Sequence, residues 1–311
     1  MDLLTGLFTT AFLAGGVLAL AALGEVLAER VGVVNLGVEG LMAMGAITAI
    51  ATVAAVPSPT LGFLAALAVG ALFGAVFAGA TVFLRANQVL CGLALTLMGT
   101  GLASTFGKAY SGMPARATFE GIEIPLLSSL PIFGKAFFSQ NILVYLIYLI
   151  LPIGLSYLMF YTRHGMNMRA VGENPAAADA AGIPVNLMRF AYVTAGSALA
   201  AGAGAYLTLA FVPGWSDGVI AGRGWIAVAL VIFAGYRPIP AVLSGLLFGF
   251  ITALGFVGQA RGWPIAPAFL SMLPYLGTIA FIIVPVIAWQ RMRRLMAAPA
   301  ALGEPYYRSV R

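Results

Sequence analysis

Asn35 and Glu39 are polar residues within an otherwise apolar stretch, and they are the side chains best suited to binding chemistry in this sequence. They are four positions apart, so they share one face if the backbone between them is helical. An acidic side chain at membrane depth is costly unless it is paired or solvated, and it marks a candidate functional site. We expect this face to bind a polar solute. The alternative is structural, with Glu39 a partner for Arg30 or for a helix N-terminus.

The segment that must position this pair is rich in glycine. Gly32, Gly37 and Gly40 permit backbone that is not regular helix. Irregular backbone is tolerated at membrane depth only inside protein or along a wet cavity. We therefore expect residues 24–40 to lie away from lipid.

Other amides, hydroxyls, aromatic residues and a few further side chains in the apolar segments could also line a solute pathway. They are Asn87, Gln88, Thr96, Met98, Thr100, Ser104, Phe211, Trp215 and Asp217. Each has a structural alternative. The amides of residues 87 and 88 could mark the end of a membrane span, the two threonines could bond to their own helix, and Trp215 could be an interfacial anchor.

Several kinds of chemistry are excluded by the residue inventory. One histidine, His164, and one cysteine, Cys91, are too few for a multi-ligand metal site, a disulfide or a Cys/His nucleophile pair. The Gly-Lys pairs at 107–108 and 134–135 lack the other positions of a phosphate-binding loop. We expect no catalytic residue, no metal and no cofactor, so any ATP must be hydrolysed on another chain.

The composition is that of a multispanning membrane protein. Hydrophobic residues make up 61% of the chain, charged residues 8%, and the mean hydropathy is +1.01. Soluble domains carry roughly 25% charged residues. We predict an all-α membrane bundle of about nine spans in a single domain over residues 1–311. The candidate spans, each near the ~20 residues that a bilayer crossing needs, are 7–28, 38–56, 61–84, 88–107, 141–161, 188–211, 219–236, 240–258 and 268–290. The weakest is 219–236, because Arg223 leaves a clean apolar run short enough for a re-entrant segment.

The basic residues predict the orientation, because cytoplasmic loops carry the excess of Lys and Arg. With a cytoplasmic C-terminus, the inside set is Arg30, Arg85, Arg163, Arg169, Arg189, Arg237, Arg291, Arg293, Arg294, Arg308 and Arg311, and the outside set is Lys108, Arg116, Lys135, Arg223 and Arg261. This arrangement makes 108–140 an external loop, 162–187 a cytoplasmic segment and 291–311 a cytoplasmic tail, which we expect to be mobile. The basic pI then reflects membrane orientation and does not indicate nucleic-acid binding.

Residues 162–185 form a polar island that carries its own helix signals. Asn174 is a good N-cap, Pro175 suits the first helical position, residues 176–181 are strong helix formers, and Gly182 can end the helix. About two turns of helix are marginal alone in water, which suggests that a soluble partner docks there. The alternative is an ordinary capped connector.

Three separated motifs carry a family resemblance: residues 23–40, residues 172–183 and residues 222–235. Together they resemble the permease subunits of ABC importers in the ribose and branched-chain amino acid class, most closely the nucleoside-type permeases. The resemblance implies that the alanine-rich helix is a coupling helix seated in the ATPase. The implied coupling residues are Gly172, Glu173, Asn174, Pro175, Ala176, Ala177, Asp179, Gly182 and Ile183.

The resemblance also implies partners and a location. The partners are a second permease subunit, with a heterodimer expected, a cytoplasmic ABC ATPase and an extracytoplasmic substrate-binding lipoprotein. The location is a bacterial-type plasma membrane. The external loop would be a landing area for the binding protein or a lid over the permease.

We therefore expect a non-enzymatic permease subunit of an ATP-driven importer for nucleosides or a related small polar solute. Among the pathway candidates we favour Asn35, Glu39, Gln88, Thr96 and Trp215. The alternative function is a stand-alone ion-coupled transporter or channel, which would need buried titratable groups.

Overall fold

The computed structural model describes residues 2–125, 127–128, 133–288 and 297–308, and these residues form a helical bundle. The helices are α1 (Asp2–Arg30), α2 (Val38–Ala55), α3 (Pro59–Ala78), α4 (Gln88–Gly107), α5 (Phe133–Phe138), α6 (Ile142–Tyr145), α7 (Leu151–Tyr161), α8 (Arg163–Glu173), α9 (Pro175–Ala180), α10 (Val185–Tyr206), α11 (Arg223–Phe233), α12 (Pro238–Ala260) and α13 (Pro267–Ala288). Single π-helical stretches extend α3 through Phe83 and α10 through Phe211, and another joins α6 to α7. The predicted all-α membrane bundle is confirmed.

Seven helical segments in the described part of the chain are long and apolar enough to cross a membrane. They are Leu3–Arg30, Val38–Ala55, Pro59–Phe83, Gln88–Tyr110, Ile142–Tyr161, Val185–Phe211 and Pro238–Ala260. The other two predicted spans correspond to α11 and α13. The first of these is much shorter than predicted: α11 has 11 residues, which extend about 16 Å, roughly half of a hydrocarbon core of ~30 Å.

The predicted helical span over 219–236 is therefore wrong in its length. Irregular backbone occupies residues 212–222 instead, where Gly214, Gly218, Ala221 and Gly222 all have positive φ. An L-residue such as Ala221, at φ 51°, is disfavoured in this region and requires support from its surroundings. The helix begins only after this turn.

The centre of the bundle is α1, which packs against α10, α11 and α12 and is almost wholly buried. Small residues let these helices approach closely, as expected for association in lipid. A Cβ on Gly24 of α1 or on Gly196 of α10 would collide with the other helix's backbone, and one on Gly45 of α2 would collide with Ala201. By contrast, only 28% of the residues are buried in each of the two segments that contain α4 and α7.

The connecting segments separate into two ends of the bundle. At one end, the guanidinium groups of Arg30, Arg169 and Arg237 all lie within 6.0 Å of the centre of the Phe160 ring. This end also carries α8 and α9, and we call it the α9 end. At the opposite end, Arg116 donates to the Ala54 carbonyl at 2.8 Å.

The arginines that were predicted to be cytoplasmic, as far as they are described, therefore lie at the α9 end. The described residues of the predicted external loop lie at the opposite end. Arg291, Arg293, Arg294 and Arg311 lie outside the described residues. Which end faces the cytoplasm stays a prediction.

The expectation of a mobile tail is wrong for residues 297–308. They return to the α9 end, where Ala301 is only 5% exposed and the backbone N–H of Gly303 donates to Gly32 at 3.1 Å. Buried contacts of this kind hold the segment in place. Its small residues and prolines show no hydrophobic periodicity, so the sequence did not indicate these contacts.

Candidate functional site

The short helix α9 has the caps that its sequence predicts. The side chain of Asn174 accepts a hydrogen bond from the backbone N–H of Ala177 at 3.0 Å, and Pro175 occupies the first helical position. At the other end, Gly182 has φ 82°, and the N–H of Ile183 donates to the Ala178 carbonyl at 3.0 Å. This is a helix end closed by a left-handed glycine.

One side of α9 faces the bundle and the other faces outward. Ala178 is buried at 2% exposure, whereas the small residues around it are exposed: Ala176, Ala177, Ala180, Ala181 and Gly182. The exposed side is therefore a smooth surface of small side chains. It can enter a narrow cleft of a partner without reorganisation of long side chains.

Helix α8 connects α9 to the bundle, and the sequence analysis did not separate it from the rest of the polar island. Thr162 caps it, accepting from the N–H of Gly165 at 3.0 Å. Near its other end, Gly172 lies so close to the Arg30 carbonyl that a Cβ there would collide with it. The island is thus two helices, of which α8 packs against the end of α1 and α9 follows it.

The second site is the segment between α1 and α2, which enters the bundle interior without regular helix. Three predicted pathway residues hold it in place. Asn35, 1% exposed, accepts from the N–H of Gly37 at 2.9 Å and donates to the Ser197 hydroxyl at 3.3 Å. Gln88 accepts from the N–H of Val34 at 2.8 Å, and the Thr96 hydroxyl donates to the Leu36 carbonyl at 2.8 Å.

Glu39 has a different partner. Its two carboxylate oxygens accept hydrogen bonds from the backbone N–H groups of Gly222 and Gly224, each at 2.7 Å. The first N–H groups of a helix have no partner within the helix, so Glu39 satisfies the start of α11 and complements its dipole. This is the helix N-terminus alternative stated for Glu39. The pathway role of Asn35 and Glu39 stays a prediction.

These bonds place the start of α11 deep in the bundle. Gly40, next to Glu39, packs against Thr96, which lies eight residues into α4, or about 12 Å along that helix. From there α11 runs to the α9 end, where Arg237 lies beside Phe160. Before it, residues 212–222 come from the opposite end, where the N–H of Gly112 donates to the Trp215 carbonyl at 3.4 Å. The segment 212–236 is therefore a broken crossing, with irregular backbone in one half and helix in the other.

Arg223 is accommodated in this crossing by its own neighbours. Its guanidinium donates to the carbonyls of Val219 and Ile220 at 2.7 and 3.0 Å. A cavity of about 210 Å³ lies beside it, between α1, α11, α12 and α13, with the polar side chains of Thr252, Gln259 and Tyr275 in its lining. Arg223, which made 219–236 the weakest predicted span, thus lies where the regular helix α11 begins.

The remaining pathway candidates lie along α4 and the broken crossing. Trp215 is 5% exposed and packs against Gly107 near the end of α4. The Ser104 hydroxyl donates to the carboxylate of Asp217. Thr100 bonds back to the Thr96 carbonyl at 2.8 Å, and Asn87 caps α4 by accepting from Leu90 at 3.0 Å. These last two are the structural alternatives expected for them.

Exposed residues occur on α4, on the irregular half of the crossing and on the first turn of α11, and the Ser104–Asp217 hydrogen bond joins the first two. Asp217 and Ala221 are exposed on the irregular half of the crossing, and Trp225, on the first turn of α11, is 40% exposed. On α4, Leu97 is 73% exposed and Thr100 is partly exposed. We call these five residues, together with Ser104, the α4–α11 face. The sequence did not single out Trp225 as a site residue, although its place in the 222–235 motif could have indicated it.

The fold and these two sites define a membrane permease. Its short helix α9 is exposed at one end of the bundle, and the bundle contains a broken crossing. The chain belongs to the family described as branched-chain amino acid transport system / permease component, whose model matches residues 7–287.

Three curated relatives support this assignment over most of their lengths. A Haloferax volcanii protein provisionally named as a glucose ABC transporter permease, TsgC13, is 38% identical over 100% of both chains. The nucleoside ABC transporter permease protein NupC of Lactococcus lactis subsp. cremoris is 38% identical over 84% of this chain and 86% of its own. The guanosine ABC transporter permease protein NupQ of Bacillus subtilis is 32% identical over 94% of each chain. No solved structure matches this chain at a significant level.

Proposed function

We propose that this chain is a permease subunit of an ATP-driven importer for nucleosides or a closely related hydroxyl-bearing solute. The observation that carries the proposal is α9: a capped helix with a surface of small residues, joined through α8 to the end of the central helix α1. Such a helix is poorly explained as a plain connector, since its exposed side offers a partner a preformed surface. The names of the three relatives, which refer to glucose, nucleosides and guanosine, support the solute class.

The proposed partner at α9 is a cytoplasmic ATPase on a separate chain. In this proposal Gly172, Glu173, Asn174 and Pro175 build the helix start, Ala176, Ala177 and Asp179 lie on the helix, and Gly182 and Ile183 close it. ATP binding and hydrolysis would move the ATPase surface, and α9 would pass that movement to the bundle as a rigid body. The C-terminus and α9 would then both be cytoplasmic.

The α4–α11 face supports a second permease subunit as the next partner. Lipid does not satisfy irregular backbone or an exposed carboxylate such as Asp217. A second permease subunit, with a heterodimer expected, would cover this face and leave a polar path between the two. A hydroxyl-bearing solute matches such a wall, because Asp217, Ser104 and Thr100 offer hydrogen bonds and Trp225 offers an aromatic surface.

The five residues favoured from the sequence have a supporting place in this proposal. Asn35, Gln88 and Thr96 fix the segment between α1 and α2, Glu39 fixes the start of α11, and Trp215 anchors the other end of the broken crossing. They would shape the path by holding its walls. A substrate-binding lipoprotein would deliver the solute at the opposite end, where the 108–140 loop lies.

The proposal is tested by purifying the chain together with its natural partners and identifying both the proteins and the bound small molecule by mass. We expect an ATPase, a second permease and a nucleoside or sugar. Recovery of the chain without an ATPase, but with full uptake activity driven by a sodium or pH gradient, would instead support the ion-coupled carrier.

A further inference from the structure

Residues 297–308, the C-terminal strap, cross the α9 end and join segments that are far apart in sequence. The backbone N–H of Ala301 donates to the Gly172 carbonyl at 3.0 Å, and the N–H of Gly303 donates to the Gly32 carbonyl at 3.1 Å. The strap is therefore bonded both to the end of α8 and to the turn after α1. Ala301 is 5% exposed, so the contact excludes water.

A buried arginine on α10 holds the strap and the turn after α1. The guanidinium of Arg189 donates to the Val31 carbonyl at 3.1 Å and to the Glu304 carbonyl at 2.9 Å. Arg189 is 2% exposed, and the rigid fork of its donors fixes the relative positions of the groups it joins. One side chain thus links α10, the turn after α1 and the strap.

The strap also contacts α9 and its start. Arg308 forms an ion pair with Asp179 at 3.2 Å, and the carboxylate of Glu173 accepts from the N–H of Ala300 at 3.2 Å. Tyr306 is hydrogen-bonded to Asp179 as well, and burial together with the Asp179 carboxylate raises the pKa of its phenol. A tyrosine phenol is protonated at neutral pH, so it can donate to that carboxylate.

We propose that the strap is a positioning element for transport: it fixes α8 and α9 to the bundle, so that displacement of α9 by its partner moves the membrane helices. This inference rests on the proposed coupling role of α9. A helix of six residues is marginal by itself, and Gly182 at its end is a natural hinge. Without the strap, α9 could yield to the partner while the bundle stayed still.

The buried contacts must do most of this work. The Arg308 side chain is 77% exposed, and exposed ion pairs contribute little. The decisive variant therefore changes Ala301, which is buried where the strap meets α8, and leaves the ion pair in place.

The test compares Ala301→Asp with Ala298→Asp in the complete complex, reconstituted in proteoliposomes with its ATPase. Both variants add one negative charge to the strap, but residue 298 is exposed. Ala301→Asp puts a carboxylate at a buried position, and detachment of the strap would return that carboxylate to water. We expect Ala301→Asp to bind the ATPase and hydrolyse ATP while nucleoside uptake falls about tenfold, a size that ordinary coupling energies produce. Ala298→Asp should retain uptake.

If Ala301→Asp assembles poorly, a truncated chain that ends at residue 296 is tested in its place. The same loss of uptake is expected.

Hydrogen exchange in residues 172–183 and 297–308 shows whether the strap has detached. Faster exchange with normal uptake would overturn the proposal, because a detached strap would then be irrelevant to transport. The α9 variant Ala177→Trp distinguishes this failure from a failure of the proposed function. If Ala177→Trp also transports normally, the coupling role of α9 is wrong and the inference about the strap falls with it.

Discussion

Glu39, at the start of α2, accepts a hydrogen bond from the backbone N–H of Gly222 at 2.7 Å, although the two residues are 183 positions apart. Its second carboxylate oxygen accepts from Gly224 at the same distance. One side chain thus fixes the point inside the bundle where irregular backbone changes to helix. The geometry of the broken crossing depends on this carboxylate.

Glu39→Gln should destabilise the protein more than it impairs transport. An amide has one acceptor oxygen, so its NH₂ group would face one of the two N–H donors and leave it unpaired. A buried unsatisfied donor costs about 1–3 kcal/mol. The thermal midpoint of the purified complex should fall by several degrees, while uptake per assembled complex stays near normal. Glu120→Gln, the same change at an exposed position, is the control. An unchanged midpoint with lost uptake would place Glu39 in the solute path.

Asn35→Ala should act in the same way, because it removes the acceptor for Gly37 and the donor to Ser197. We expect lower stability and an unchanged order of preference among nucleosides in competition assays. If the side chain instead touches the solute, related nucleosides would be affected to different extents, since each loses a different hydrogen bond. That result would restore Asn35 to the pathway.

Bulky residues on the exposed side of α9 should abolish transport and leave the spans intact. Ala177→Trp and Gly182→Arg overfill the proposed contact with the ATPase. Because Gly182 has φ 82°, any substitution there adds roughly 1–2 kcal/mol of backbone strain, and Gly182→Ala separates strain from bulk. Uptake and ATP hydrolysis in the assembled complex are the measurements. Full substrate-stimulated hydrolysis and uptake in Ala177→Trp would show that α9 is a plain connector.

Accessibility of single cysteines should assign the two ends of the bundle to the two sides of the membrane. In a Cys91→Ala background, cysteines at Ser111 and Ser128 should react with an impermeant thiol reagent added outside intact cells. A cysteine at Asn174 should react only after permeabilisation. Labelling of position 174 from outside would invert the topology and remove a cytoplasmic partner from α9.

Substitutions on the α4–α11 face should lower uptake without loss of folding. Asp217→Ala removes the carboxylate that Ser104 contacts, and Trp225→Ala removes an exposed aromatic ring. We expect a reduction of about tenfold or more for a solute that needs these contacts. Leu72→Ala is the control, because Leu72 is 63% exposed on α3 and its side chain cannot form a hydrogen bond. Normal uptake in both face variants would move the path elsewhere.

Local signals in the sequence were sufficient for much of the architecture. Asn174, Pro175 and Gly182 specify α9 because caps and helix ends are set by neighbouring residues. Apolar length specifies the long helices for the same reason. Gly32 and Gly37 correctly indicated irregular backbone inside protein, whereas Gly40 lies within the regular helix α2.

Long-range pairings were not predictable from the sequence. Nothing near Glu39 identifies Gly222 and Gly224 as its partners, so the choice between pathway and helix cap had to stay open. The strap illustrates the same limit, because it is held by backbone carbonyls and by Arg189, which a residue pattern does not reveal. The length of α11 was overestimated because composition alone does not show where a helix begins within an apolar stretch.

The central claim is that α9 couples this permease to an ATPase, and uptake by defined proteoliposomes tests it most directly. The complex should be reconstituted with wild-type ATPase or with an ATPase variant that cannot hydrolyse ATP, and radiolabelled guanosine uptake measured with and without ATP. We predict that accumulation requires ATP and the active ATPase and is lost in Ala177→Trp. Accumulation by this chain alone, driven by a proton or sodium gradient and unaffected by Ala177→Trp, would contradict the account.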